Sequence, residues 1–370
     1  MQHHRRGRED GTEMFDGGHA QHHIGSGCRV IESGVTRSGT NQRDARDSQG
    51  RTRLSRTMRA MRSGFRRYPR AIYDSVRQPG NMHAFVDIPE ALHHLWPHEL
   101  AVMWLGHASV VAQIHDVTIG VDPVLNERIG LRMGRRTIGL PRIAPPPVPP
   151  ESLRGLDLVL ITHAHFDHLD RPTLESIASK ETRVVVPRRC RRLIPKGYAE
   201  VIELSPGETL EHAGMRISAI APAHWGARKI FDRRRGVNAY VVESDTQRVL
   251  FTGDTASTSA FDNLESIDLA VFGIGAYDPW EHMHATPEQA WAMFQRVGAR
   301  YLLPIHHSTY ELSEEPIDEP MDRLRAAAGD AFDASVIVPT QGEVVIINEG
   351  PPAPDEPELG KALRDRPDIQ

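Results

Sequence analysis

From residue 101 the chain turns apolar and β-branched in three short bursts: AVMWL (101–105), SVVAQI (109–114) and VTIGVD (117–122). His115 and Asp116 separate the last two as a tight turn, which predicts an antiparallel hairpin. PRIAPPPVPP (141–150) reads as a stiff crossing loop, because proline fixes φ and offers no N–H to a ladder. LDLVLIT (156–162) then leads to a helix starting near Pro172, where a first helical turn tolerates proline. Further strands are predicted at RVVVP (183–187), VIEL (201–204), MRISAIAPA (215–223), NAYVVES (238–244), RVLFTG (248–253), LAVFGIG (269–275), YLLPI (301–305) and VIVP (336–339). PEQAWAMFQRVG (287–298) has helical spacing, with Ala290, Trp291, Phe294 and Val297 on one face. Short strands alternating with helices predict one layered α/β domain over residues 100–348.

The flanks differ in kind. Residues 1–80 are rich in Gly, Ser, Thr and Arg, the composition of an unfolded arm, and Arg51 to Arg70 holds eight arginines and no acid. The arm reads as a contact for an anionic surface, either membrane or nucleic acid, as a solvated tail, or as an upstream extension from an early start codon. Residues 81–99 form a lead-in segment, and 349–370 return to proline and charge as a tail. The whole chain of 370 residues is mildly acidic, with a net charge of −5 and 39% hydrophobic residues, which suits a packed globular protein and suggests no nucleic-acid partner. No apolar run reaches the roughly 18 residues that span a bilayer, and no secretory signal is recognisable. Cys28 and Cys190 are too few for a disulfide framework. The expected location is cytoplasmic, peripheral to the inner face of the membrane if the arm binds there.

The chemistry is concentrated in His163-Ala164-His165-Phe166-Asp167-His168, directly after the strand LVLIT. Three imidazoles and a carboxylate in six residues are poor core material, since each buried polar group needs a partner. As metal donors they make sense. Side chains of an extended segment alternate, so His163 and His165 share one side, and a following turn can swing Asp167 and His168 toward a second ion. Three more strands end at donor residues: ISAIAPA at His224, VLFTG at Asp254 and YLLPI at His306. Strand ends are where α/β folds hold functional loops. The seven divide into His163, His165 and His224 for one ion and Asp167, His168 and His306 for another, with Asp254 between them. Imidazole plus carboxylate suits two divalent ions, zinc first, with iron or manganese as alternatives. His307 is expected to point away from its neighbour His306, and His107 in the GHAS turn fits a structural turn or a site role.

THAHFDHLD (162–170), His224, GDT (253–255) and PIHH (304–307) resemble the metallo-β-lactamase superfamily. WLGHASV (104–110), VDPVL (121–125), HW (224–225), GIGAYDP (273–279) and HATPEQA (284–290) are similar to its branch of N-acyl-phosphatidylethanolamine-hydrolysing phospholipases D. The resemblance covers residues 100–325. It implies a four-layer αββα sandwich with a dinuclear site at one edge, and it adds His284 as a contact for the substrate phosphate or leaving group. Trp225 and Tyr277 flank site segments and either line the pocket or pack at its rim. The Trp-rich strand common after HW in that branch is replaced by RRRGVNAYVVES (233–244).

The expected activity is hydrolysis of a phosphodiester, on a small molecule or an N-acyl phospholipid. Two ions about 3.5–4 Å apart can share a hydroxide, because a metal lowers the pKa of water to near 7. Asp167 would orient or deprotonate this nucleophile, and His284 would assist the leaving group. The alternatives are a lactonase or ester hydrolase, as in the related branch of L-ascorbate-6-phosphate lactonases, and a non-catalytic metal-binding module. A hydrophobic groove would favour lipid. A cationic pocket supplied by Arg188, Arg189, Arg191 and Arg192 would favour a sugar phosphate.

Overall fold

The computed structural model describes residues 30–32, 73 and 99–347, apart from 135, 229–231, 233 and 234. Two seven-stranded sheets carry the architecture. The first is ordered β16-β2-β3-β4-β7-β8-β9: Val344–Ile346, Leu100–Gly106, Ser109–Ile114, Val117–Val121, Leu158–Leu160, Arg183–Pro187 and Glu200–Leu204. The second is ordered β1-β10-β11-β12-β13-β14-β15: Val30–Glu32, Glu208–His212, Met215–Ile220, Ala239–Glu243, Arg248–Phe251, Leu269–Gly273 and Tyr301–Ile305. A separate hairpin, β5 (Arg128–Met133) with β6 (Arg136–Pro141), stands apart from both.

Three apolar layers show how these pack. Val102, Val110 and Ile119 from one sheet meet Ile217, Tyr240 and Val249 from the other, filling the space between the sheets. Leu153, Leu174, Ile177 and Tyr198 cover the outer face of the first sheet. Trp291, Phe294, Leu324 and Phe332 cover the outer face of the second. Because both faces of each sheet are buried, strands such as β3 and β4 are buried along their full length rather than at alternate positions. The αββα sandwich expected from the sequence is the observed fold.

Local signals account for the elements. Asp170 caps the Arg171–Ser176 helix by accepting from Thr173 N–H, with Pro172 in its first turn. Thr286 and Gln289 close a capping box on the Pro287–Val297 helix, and Gly298 ends it at φ +66°. Pro304 lies within β15, an edge strand, where a missing N–H is tolerated.

Several features depart from the sequence reading. VIVP (336–339) forms no strand: Val336 makes one bridge to Leu302, and the ladder stops before Pro339, which cannot donate. The hairpin β5–β6, strand β10 and the Glu319–Ala328 helix were not anticipated. Within the stretch read as an unfolded arm, Val30–Glu32 pairs antiparallel with β10. The Arg51–Arg70 run, Cys28, residues 81–98 and 349–370 lie outside the described residues. Among the described residues no helix is long and apolar enough to cross a membrane.

Candidate metal centre

Seven loops converge on one edge of the sandwich. Asp122 follows β4, His163 to His168 follow β7, His224 follows β11, Asp254 follows β13 and His306 follows β15, while His107 sits in the β2–β3 turn and His284 precedes the Pro287–Val297 helix. Gly253 allows the approach of Asp254: its φ is +56°, and a Cβ there would sit 2.7 Å from Thr162 Cβ.

The structure brings all seven predicted donors together in two adjacent groups. His163, His165, His224 and Asp254 offer donor atoms within 4.8 Å of one another, and so do His107, Asp167, His168 and His306. Asp254 touches both: its Oδ2 lies 3.6 Å from His163 Nε2, 3.7 Å from His224 Nε2 and 3.1 Å from His168 Nε2, and its Oδ1 lies 3.2 Å from His306 Nε2. His163 Nε2 faces His165 Nδ1 at 2.9 Å, and His224 Nε2 faces the same atom at 3.4 Å.

The residues fit metal ions. His168 Nε2, both Asp254 oxygens and both His306 nitrogens are buried without a hydrogen-bond partner, although they crowd one another. Donors bonded at about 2.0–2.1 Å to a tetrahedral ion stand about 3.3 Å apart, close to the spacings found here. Lone pairs aimed at one point are repulsive unless a cation lies among them.

Outer partners fix the directions of the donors. His168 Nδ1 is 2.7 Å from Asp122 Oδ2, and Asp122 Oδ1 accepts the Thr162 N–H at 2.7 Å, so His168 turns Nε2 inward. His224 donates from Nδ1 to the Met283 carbonyl at 2.9 Å, which leaves Nε2 as the free donor. Arg228 donates to the carbonyls of Ala164 and Leu169 and stacks 4.2 Å over Phe166, holding the loop between them.

Electrostatics sort the imidazoles. Burial keeps His163, His165 and His284 below the ordinary range and pushes His224 down to about 3, so these are neutral, the form that binds metal. Burial also disfavours charge on His168 and His306, but Asp254 and its neighbouring carboxylates outweigh it. His168 is raised, and His306 is raised to about 9. Burial opposes charge on Asp167 and Asp254 too, yet the surrounding histidines, His168 foremost, hold both well below the usual carboxylate range.

The clusters floor a cavity of about 690 Å³. Its walls include Ile129, Leu131, Met133, Ile138 and Leu140 from the β5–β6 hairpin, with Phe166, Trp225, Trp280, Met283 and Leu312. Trp225 and His284 are among the residues that line it. Tyr277 is not: its hydroxyl donates to Glu319 at 2.8 Å and Arg323 stacks 4.6 Å over its ring, so it packs under the rim against the Glu319–Ala328 helix. His307 stacks on Trp104 at 4.8 Å and joins neither donor group. Asp122 escaped the sequence reading, although VDPVL ends a strand as the other donor segments do.

An αββα sandwich with paired His/Asp clusters at one sheet edge defines a metal-dependent hydrolase. The chain belongs to the β-lactamase superfamily, whose domain model matches residues 118–307. It is 29% identical over 270 residues to N-acyl-phosphatidylethanolamine-hydrolyzing phospholipase D 1 of Caenorhabditis elegans, covering 66% of this chain and 75% of that one. It is 26% identical to a metal-dependent hydrolase of Thermoplasma acidophilum, covering 65% of this chain and 95% of the relative. Among solved structures, an isothiocyanate hydrolase from Delia radicum gut bacteria superposes with a TM-score of 0.53 at 17% identity, over 66% of this chain and 98% of that one, a likeness of fold alone.

Proposed function

We propose that this hydrolase holds two divalent ions, zinc in the first instance, and cleaves a phosphodiester whose remainder is apolar, with a phospholipid as the substrate class. The observation that carries the reading is the cavity's two-part lining. Its floor is made of ionised carboxylates and imidazoles, and its walls are aliphatic and aromatic, with no lysine or arginine among the described residues that line it. A sugar phosphate would call for cations there. Arg188, Arg189, Arg191 and Arg192 are solvent-exposed and none lines the cavity. The name of the nematode relative points to the same substrate class.

Bound at these clusters, a pair of divalent ions would supply Lewis-acid stabilisation of phosphoryl charge and would lower the pKa of bound water to near 7. The chain's own residues do the remaining work. Asp167, kept anionic by its histidine neighbours, accepts a proton from the attacking water. His284 lines the cavity with Nδ1 3.8 Å from Asp254 Oδ2 and offers its neutral ring to the departing oxygen. The hairpin, Trp225 and Leu312 hold apolar chains and exclude water above the floor. The exposed hairpin side chains Leu131 and Met133, with Arg136 beside them, would suit peripheral contact with an anionic membrane surface.

Elemental analysis of purified protein, paired with turnover of bis(p-nitrophenyl) phosphate, a long-chain N-acyl phospholipid and a simple lactone, tests the reading. Two ions per chain with phosphodiester turnover support it. Turnover of the lactone alone transfers the site to ester hydrolysis, and protein inactive after reconstitution with zinc, manganese or iron is a binding module.

A further inference from the structure

His107 lies in the β2–β3 turn, fully enclosed, and contacts two donors of one cluster by separate routes. Its Nε2 is 3.0 Å from Asp167 Oδ2. Its backbone carbonyl accepts the His306 N–H at 2.9 Å, and its ring centroid stands 4.0 Å from that of His306. The turn is itself clamped: the Trp104 indole N–H donates to the same carbonyl at 2.8 Å, the His107 N–H donates to Thr309 Oγ1 at 2.6 Å, and the Tyr310 ring meets the imidazole edge-on at 5.2 Å. Both His107 (φ +51°) and His306 (φ +64°) occupy the left-handed region, where a non-glycine residue persists only if its surroundings hold it. A turn needing nothing but this φ would be served by glycine.

The partner of Nε2 decides what the imidazole does. An ionised carboxylate only accepts, so Nε2 carries the proton and has no lone pair for an ion. His107 therefore acts through its neighbours. With Oδ2 engaged the carboxylate is fixed in rotation, and that same oxygen stands 3.5 Å from His306 Nε2 and 3.7 Å from His168 Nε2, held toward the other donors of the site.

We propose that His107 is the positioning residue of the Asp167/His168/His306 ion site, fixing Asp167 through its ring and His306 through its carbonyl. The His163/His165/His224 site has no contact with it of this kind and does not depend on it. The inference rests on the two-ion reading above.

The test is metal uptake, not turnover. Chelator-stripped wild type, His107→Phe, His107→Gln and Thr309→Val are titrated with Co(II), following absorption and calorimetry. Wild type takes up two ions. His107→Phe keeps the first at wild-type affinity and binds the second about ten- to hundredfold more weakly, the usual range for a lost outer partner. His107→Gln, whose amide N–H can reach a carboxylate, recovers most of the loss. Thr309→Val slackens the same turn without touching the ring and stays within about threefold of wild type. Unchanged affinity for both ions in His107→Phe overturns the proposal, as does an equal loss in Thr309→Val, which would mark simple softening of the turn. A wild-type chain that takes up a single ion fails the two-ion reading itself, and the assignment falls with it.

Discussion

The floor and the wall of the cavity are built on opposite terms. On the floor, His163 and His168 are fully buried and Asp254 and His306 nearly so, each on a segment that leaves the end of a strand packed on both faces. On the wall, Leu131 and Met133 are 51% and 60% exposed, on a two-stranded hairpin that joins neither sheet. The hairpin strands meet at Gly130 and Gly139, paired backbone to backbone so closely that a Cβ on Gly139 would lie 1.9 Å from the Ile129 carbonyl oxygen. Chemistry that needs donors held to a fraction of an ångström sits where the sheets cannot yield. Selection of a long apolar chain tolerates a softer element.

The sharpest way to break this comparison is to remove the residue that contacts both donor groups. Asp254→Asn keeps the side-chain shape and removes its charge, so both sites weaken together. Turnover should fall at least about a thousandfold, since metal stabilisation of a transition state is worth several kcal/mol. Metal content should drop while far-ultraviolet dichroism is unchanged. A variant that keeps both its ions and its rate would show that the floor is not the reactive part.

The floor should also dominate the response to acid. Burial pushes His107 and His224 down to about 3 and His307 to about 4. The unfolded chain protonates these imidazoles near pH 6.5, the folded chain only far below. Between those values the unfolded state binds more protons, so stability falls as pH drops from 6.5 toward 4, by about 1.4 kcal/mol per pH unit for each net proton. His306 works in the opposite sense: raised to about 9, its contribution is complete below 6.5 and is lost as pH climbs through 9. Urea midpoints of chelator-treated protein should therefore peak near neutrality. A flat profile from pH 6.5 to 4.5 would contradict neutral buried histidines.

Legibility in the sequence divides along the same line. The floor could be read because each donor ends a β-branched run, as His163 does after LVLIT and His306 after YLLPI, and a strand's direction fixes where its last residue goes. The pairing of donors with outer partners could not. Asp122 meets His168 across 46 residues, and His107 meets His306 across nearly 200. Tyr277 stays open between pocket and rim in the sequence because a neighbouring position in the chain says nothing about side-chain direction; here the hydroxyl turns to Glu319. The hairpin was overlooked because RIGLRMGRRTIGLP looks like a connection rich in Gly and Arg. Its signal was present as Ile129, Leu131 and Met133 alternating on one side of Gly134, with Ile138 and Leu140 on the other.

A smaller effect separates wall from floor directly. Leu131→Asp with Met133→Asp places charge where an acyl chain would lie. The KM for a long-chain phospholipid should rise about tenfold, less than full burial of two such side chains would give because both are already half exposed. Turnover of bis(p-nitrophenyl) phosphate, too short to reach the hairpin, should stay within about twofold. Equal losses on both substrates would make the hairpin part of the catalytic scaffold.

The smallest expected effect bears on what lies outside both regions. Arg188 and Arg192 sit on the exposed segment after β8, and neither lines the cavity. An exposed cation this far from the substrate is screened by water and salt, and its contribution to binding is slight. Arg188→Ala with Arg192→Ala should therefore leave kcat/KM within about twofold for small and long-chain phosphodiesters alike, at low and at physiological salt. A loss of tenfold or more on a sugar phosphate, growing as salt is lowered, would mean that these arginines reach the substrate. The wall would then be cationic in use although apolar in structure, and the hairpin would no longer explain what the cavity selects.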